Sequence, residues 1–494
     1  MLFNSLTYLV FMLLMVPPAV FGPAWLRRAI LFFGGIVFYA FWRIDFTFLV
    51  LFTAFVDWFG GLRIYHAQSP AGKKAWVTLS LVMNLTVLGF FKYFYFTVGA
   101  TNGLVELLGR LTNHPEWHFH LDLPFKIILP LGISFYTFHS LSYVFDMYRG
   151  LVPPIKKYTT FITYVMFWTQ LVAGPILRAH EIIPQLENYR RPTRGEVSYA
   201  LEEILQGFFK KIVLADMISP IVDAGFSVPT KQLGMLDVWV LAFAFGFQIY
   251  FDFSGYSSIA LGSARLMGFQ FPPNFNWPYL ATSPREFWKR WHISLSTWIR
   301  DYLYLPLQGA KFRGRTKAGL ADAKTEQDIT ETRRTVALFL TWFIMGFWHG
   351  ANWTFAFWGL WHAALVWLHR ATEPVRVRLP MWVRTYGGFA FTLGFEMLAW
   401  IFFRAQDLTT AFQMIGRAFD IRTIHTRALR ENDYLITFLY LVGFLATAAA
   451  WRLNKSPSMP RVVRLGMLAA SHAVMFFCVF LLLRQVKSFI YFQF

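Results

Sequence analysis

The chain has 494 residues, of which 56% are apolar and 15% charged, against about 45–50% and 25% in soluble domains. The apolar residues come in long runs that a soluble interior of this size cannot hide, which excludes a water-soluble globular fold. Lys and Arg outnumber Asp and Glu by 46 to 27, a formal charge of +19. The basic residues flank apolar runs, as at Trp25-Leu26-Arg27-Arg28, Lys73-Lys74 and Lys156-Lys157, which points to membrane anchoring rather than nucleic acid.

About 20 apolar residues carry a helix across a bilayer. The pattern predicts spans near 5–22, 29–59, 75–99, 124–146, 158–176, 234–262, 333–348, 352–369, 385–404, 433–452 and 464–485. Met1 to Phe21 lacks a basic leader and an A-x-A site, so it reads as a retained first span rather than a signal peptide. The 29–59 run carries Arg43 and Asp45 in its middle and is a candidate for two shorter helices. The 98–123 stretch, with Arg110 as its only Lys or Arg, is placed outside. It holds His114, Glu116, His118, His120 and Asp122, types that bind zinc, but nothing fixes a ligand geometry and no metal site is expected.

Within 178–228, Tyr189-Arg190-Arg191-Pro192 precedes an amphipathic run from Ile204 to Ile221. Its Lys210-Lys211 sits beside Phe208-Phe209 and Ile212-Val213, which suits a helix lying in the interface. Residues 268–310 are dense in Pro, Trp and Arg and hold little that spans. Residues 309–334, with Lys311, Arg313, Arg315, Lys317, Lys324, Arg333 and Arg334, read as a cytoplasmic loop. Cys478 is the only cysteine, so an intramolecular disulfide, a CxxC zinc site and an iron–sulfur cluster are excluded, and a thiol relay is not expected. The expected architecture is an all-α polytopic membrane protein of ten to twelve spans, a single domain over 1–494. Interfacial helices and the basic cytoplasmic loop occupy 268–334.

Polar groups inside a membrane are costly and therefore candidates for function. In Gly346-Phe347-Trp348-His349-Gly350-Ala351-Asn352-Trp353 a histidine sits at a break between two apolar helices. A neutral imidazole there suits abstraction of a hydroxyl proton; the structural alternative is a helix-end histidine with its hydrogen bond made. In Ser283-Pro284-Arg285-Glu286-Phe287-Trp288-Lys289-Arg290-Trp291-His292 a cap and a proline open a helix. On that helix Trp288, His292 and Ser296 recur at i, i+4 and i+8 and are expected to share a face. Arg285, Lys289 and Arg290 are suited to a phosphorylated or carboxylated ligand, or else anchor an interfacial helix. Asp252, deep in Phe251-Asp252-Phe253-Ser254-Gly255-Tyr256, either orients a histidine or holds a helix pair together; Glu396 poses the same question. GxSxG, Walker-type and HExxH motifs are absent.

Taken in order, these segments resemble the membrane-bound O-acyltransferase family, in its bacterial alginate O-acetyltransferase-like branch. The resemblance also rests on Met1-Leu2-Phe3-Asn4-Ser5, Gly89-Phe90-Phe91-Lys92-Tyr93, Leu129-Pro130-Leu131-Gly132-Ile133-Ser134, Leu171-Val172-Ala173-Gly174-Pro175-Ile176, Gly207-Phe208-Phe209-Lys210-Lys211 and the closing Tyr491-Phe492-Gln493-Phe494. It implies a ring of tilted helices around a central tunnel, with a cytoplasmic acyl donor meeting an acceptor from the far side at a buried histidine. By motif, that histidine is His349, and His292 is the second family histidine, near the cytoplasmic entrance. Asp252, Trp288, Trp291, Trp348 and Ser296 would shape the tunnel. The donor would resemble acetyl-CoA, a substrate rather than a bound cofactor, with its phosphates on Arg285, Lys289, Arg290 and the 311–317 cluster. The resemblance further implies the bacterial cytoplasmic (inner) membrane and an extracytoplasmic partner that passes the acyl group to a polysaccharide such as alginate. Transfer by proton abstraction and through acetyl-histidine are both open. His362 and His369 lie outside the motifs and read as structural. The competing readings are transfer of another acyl group, such as D-alanyl onto a cell-envelope polymer from a carrier protein, and a transporter or flippase without chemistry.

Overall fold

The computed structural model of the chain describes all residues other than 122, 172–173, 311, 317–318, 323–329, 455–458, 484–488 and 491–494. Asp122, Val172-Ala173, Lys311, Lys317, Lys324 and the closing Tyr491 to Phe494 therefore lie outside the described residues.

The amino-terminal helices are α1 (Leu6–Phe21), α2 (Ala24–Ala40), α3 (Ile44–His66), α4 (Pro70–Leu88) and α5 (Phe94–Leu111), with a π turn at Gly89–Tyr93 between the last two. The 29–59 run is indeed two helices. Arg43 is extended and its guanidinium pairs with Asp45 at 2.5 Å, so the charges close one helix and open the next. The stretch placed outside from residue 98 is helical as far as Leu111, because Leu104, Leu107, Leu108 and Leu111 keep an apolar stripe at helical spacing; the loop proper begins at Thr112.

Two predicted spans are shorter than expected. The 124–146 run becomes helical only in α6 (Ile133–Tyr148), after Gly132 at φ 68°, since Pro124 and Pro130 break the preceding backbone. The 158–176 run is α7 (Tyr158–Val165), eight residues and about 12 Å long. The helix closes at Met166, whose amide donates to the Ile162 carbonyl, and the buried residues 167–171 then turn inside the protein, the Gln170 amide donating to the Phe167 carbonyl. α6 packs on α3 and α4, and α7 on α2 and α3.

Next come α8 (Ala179–Glu187), α9 (Arg194–Phe208), a π segment at Phe209–Ala215, and α10 (Asp216–Phe226), followed by α11 (Met235–Leu266). α11 has 32 residues, about 48 Å, and 72% of its most apolar stretch is buried. It is the protein-enclosed axis against which α9, α10 and the π segment pack. The 204–221 run is therefore not a free interfacial helix: Lys211 is 1% exposed, for a reason given below.

The remainder comprises α12 (Pro284–Trp288), α13 (Ile293–Ile299), a π turn at Arg300–Tyr304, α14 (Leu305–Gln308), α15 (Glu331–His349), α16 (Trp353–Ala371), α17 (Glu373–Arg376), α18 (Gly388–Arg404), α19 (Leu408–Ala418), α20 (Glu431–Asn454) and α21 (Arg461–Leu482). A small antiparallel hairpin, Phe312–Thr316 with Gly319–Asp322, lies in the basic loop and is the one strand pair among the described residues. Six helical stretches are long and apolar enough to cross a bilayer: Ile44–His66, Pro70–Leu111, Met235–Leu266, Val383–Arg404, Glu431–Leu453 and Arg461–Leu482; Leu6–Phe21 is apolar but shorter. α21 has no buried residue, so its all-round apolar surface suits lipid. The chain is a polytopic helical membrane protein.

Candidate active site

His349 is the last residue of α15 and is 5% exposed. α15 opens on Thr330, whose hydroxyl accepts from the Arg333 amide, and stops because Gly350 is extended. Asn352 then caps α16, its carboxamide oxygen accepting from the Thr354 amide while its nitrogen donates to the Gln406 carbonyl. The two helices lie backbone to backbone: a Cβ on Gly346 would strike the Phe355 carbonyl, and one on Gly359 the Trp342 carbonyl. The glycines thus set how closely the His349 end is held.

Aromatic rings wall the imidazole. Trp348 and Trp358 lie edge-on at 4.9 Å and Phe403 at 5.4 Å. Trp348 stacks on Phe138 of α6 at 4.9 Å, and Phe138 on Trp298 of α13 at 4.0 Å. Phe135 of α6 lies between the two motifs, its ring 6.3 Å from that of His292 and 5.8 Å from that of Trp348. The structure therefore brings the two sequence-predicted histidines, 57 positions apart in numbering, into one neighbourhood.

His292 is 1% exposed but does not lie on a continuous helix with Trp288 and Ser296, contrary to the expected shared face. α12 ends at Trp288, and His292 has φ 40°, a left-handed conformation that separates α12 from α13. Asn274 stabilises that break. Its carbonyl accepts from the Ile293 amide, and its side-chain oxygen accepts from the Ser294 amide (3.2 Å) and hydroxyl (2.7 Å). The same oxygen lies 3.2 Å from His292 Nδ1, which assigns the proton to Nδ1 and leaves the Nε2 lone pair without a hydrogen-bond partner among the described residues. Phe253 of α11 stands edge-on to the ring at 4.6 Å.

The other sequence-predicted residues divide. Trp291 packs on Trp400 at 4.9 Å, and Trp288 on Trp342 at 4.5 Å. Ser296 donates to the Trp291 carbonyl at 3.1 Å and so ties the turn. Asp252 does not orient a histidine. Its Oδ1 is 2.5 Å from Lys211 Nζ, which also meets Asp216 Oδ1 at 2.7 Å, and its Oδ2 accepts from the Ile490 amide at 2.8 Å. It holds helices together, the second of its two sequence readings. Arg285 and Lys289 are exposed, whereas Arg290 is committed to Glu286 through Nε (3.0 Å) and Nη2 (2.6 Å).

Two groups were not singled out for the site from the sequence. His362, read as structural, is fully buried with Nδ1 3.5 Å from Glu396 Oε2 and 3.4 Å from Trp288 Nε1, and its ring is 4.7 Å from Trp358. Its signal was available, since two isolated polar residues deep in separate apolar runs imply each other. Lys92 reaches the backbone of His349 itself. Among the described residues no cluster of three or more His, Cys, Asp or Glu could hold a metal ion.

The membrane-bound O-acyltransferase family model matches residues 155–321. The chain is similar to a probable alginate O-acetylase of Azotobacter vinelandii, 39% identical over 425 residues that cover 85% of this chain and 78% of that protein. It is also similar to a peptidoglycan O-acetyltransferase of Helicobacter pylori, at 32% over 80% of this chain and 73% of that protein. A teichoic acid D-alanyltransferase of Streptococcus thermophilus is 32% identical over 51% of this chain and 64% of that protein. The chain is a membrane-embedded O-acyltransferase and belongs to the membrane-bound O-acyltransferase family, in its alginate O-acetyltransferase-like branch.

Proposed function

We propose that the protein transfers an acetyl group from cytoplasmic acetyl-CoA across the bacterial cytoplasmic membrane, for O-acetylation of an exopolysaccharide such as alginate, with His349 as general base. The observation that carries the reading is a nearly water-excluded imidazole at a helix break, walled by Trp348, Trp358 and Phe403, with His292 on the other side of Phe135. In such a site His349 takes the proton of the acceptor hydroxyl as its oxygen attacks the thioester carbonyl. The new C–O bond forms, the C–S bond breaks, and the proton passes to the departing thiolate. His292, with its Nε2 lone pair open, offers the reacting groups a hydrogen-bond acceptor rather than a second base. Exposed Arg285 and Lys289 offer charge to the donor phosphates; Arg290, bound to Glu286, serves less directly. The acceptor is an extracytoplasmic partner protein or the polysaccharide itself.

Similarity over about half the chain to a D-alanyltransferase supports a second reading, transfer of another acyl group to an envelope polymer. Purified protein in vesicles, supplied with labelled acetyl-CoA on one side and a polysaccharide or partner acceptor on the other, separates the two. The proposal expects label in base-labile ester, lost in His349→Gln. Transfer from a D-alanyl carrier but not from acetyl-CoA would replace it, and translocation without ester formation would return the transporter reading.

A further inference from the structure

The π turn Gly89–Tyr93 is closed onto the end of α15. The Lys92 ammonium donates to the Trp348 carbonyl at 2.5 Å and to the His349 carbonyl at 3.0 Å, and the Tyr93 hydroxyl donates to the Phe347 carbonyl at 2.7 Å. The last four carbonyls of a helix have no partner within it, so this one turn satisfies three of the four that precede the break. π turns of this kind recur at functional sites because the extra residue redirects side chains. Here the consequence is that a lysine and a tyrosine, adjacent in sequence, both reach one helix end.

The lysine has no carboxylate partner among the described residues. Among the described residues, the negative end of α15 and the Trp348 ring, whose centroid is 5.8 Å away, are what face its charge. An unmatched cation in an apolar helix bundle is expensive. A neutral donor would satisfy a carbonyl at lower cost, so a purely structural cap does not call for lysine.

We propose that Lys92 is a positioning residue for the acyl transfer. It clamps the Trp348 and His349 carbonyls, so that the imidazole is held at the break in one orientation, and it supplies a fixed positive charge beside the place where the attacking oxygen and the thioester carbonyl become negative. The inference rests on His349 being the base. A fixed charge of this sort stabilises developing negative charge without reorganising, and a displacement of about 1 Å in a reacting group costs up to 10²-fold in rate.

The test compares Lys92→Met, Lys92→Gln, Lys92→Arg and His349→Gln with wild type in the vesicle acetyl-transfer assay, normalised to folded protein by size-exclusion profile. Lys92→Met is expected to lower kcat by roughly 10²-fold with KM for acetyl-CoA within about threefold. Lys92→Arg, which keeps a cation and several donors, should recover most of that loss, and Lys92→Gln, which keeps a donor without the charge, should recover little. Wild-type kcat in Lys92→Met with His349→Gln inactive would overturn the inference and leave the base assignment standing. Equal recovery by Gln and Arg would overturn the role of the charge. Activity in His349→Gln would remove the reading on which the inference rests. A loss in Lys92→Met seen only as less folded protein, with kcat per folded molecule unchanged, would reduce Lys92 to a helix cap.

Discussion

Replacement of Lys211 by Met tests the account of Asp252. The ammonium is 1% exposed and lies 2.5 Å from Asp252 Oδ1 and 2.7 Å from Asp216 Oδ1. Asp252, itself 2% exposed, also receives the Ile490 amide. Removing one partner of a buried pair costs about 3–5 kcal/mol, because the other charge is left uncompensated in low dielectric. For a chain of 494 residues that corresponds to a fall in Tm of about 3–5 °C. The double variant Lys211→Met with Asp252→Asn removes both charges while leaving an acceptor for the Ile490 amide. It is therefore expected to regain at least half of the loss, about 1.5–2.5 kcal/mol. Tryptophan fluorescence during thermal unfolding in detergent gives the four Tm values of the cycle. Strictly additive losses would refute the pair as the reason for the buried carboxylate. So would a Lys211→Met protein as stable as wild type.

Three further outcomes follow from other contacts. Gly359→Ala drives a methyl group into the Trp342 carbonyl and should cost about 1–3 kcal/mol with a fall in kcat, whereas Gly443→Ala on α20, with nothing near, should be neutral or slightly stabilising; thermal unfolding and the transfer assay check both. Arg285→Ala and Lys289→Ala should each raise KM for acetyl-CoA roughly tenfold, the loss of about one charge-assisted hydrogen bond, while Arg290→Ala, whose partner is Glu286, should leave KM within about twofold. Asn274→Leu strips the acceptor from His292 Nδ1 and Ser294 and should lower both stability, by about 1–3 kcal/mol per stranded buried donor, and kcat. Asn274→Asp keeps the acceptors and should retain more activity, as steady-state kinetics would show.

Much of the architecture was readable because bilayer thickness imposes a length on apolar runs. α11, α16, α18 and α20 stand within a few residues of their predicted positions, and the charged Arg43 and Asp45 foretold the break between α2 and α3. What misled were segments whose apolar character reflects burial in protein rather than contact with lipid. α7 and residues 166–171 after it are as apolar as a span, yet they are enclosed and turn at Phe167–Gln170. Helical periodicity placed Trp288, His292 and Ser296 on one face, but no pattern announces a histidine at positive φ. That conformation depends on Asn274, eighteen residues upstream. The π turns were equally hidden, so Lys92 was visible as part of a motif without its target. His349, in contrast, was readable because glycine, histidine, glycine and asparagine in succession both end a helix and leave an imidazole at the end of it.

The central claim, that His349 carries out the acyl transfer, is tested most directly by the ester content of surface polysaccharide. A strain lacking the gene would be complemented with wild type or His349→Ala at equal membrane abundance, and ester-linked acetyl measured by mass spectrometry. The account predicts acetyl esters restored by wild type and absent with His349→Ala. Equal restoration by both would contradict it.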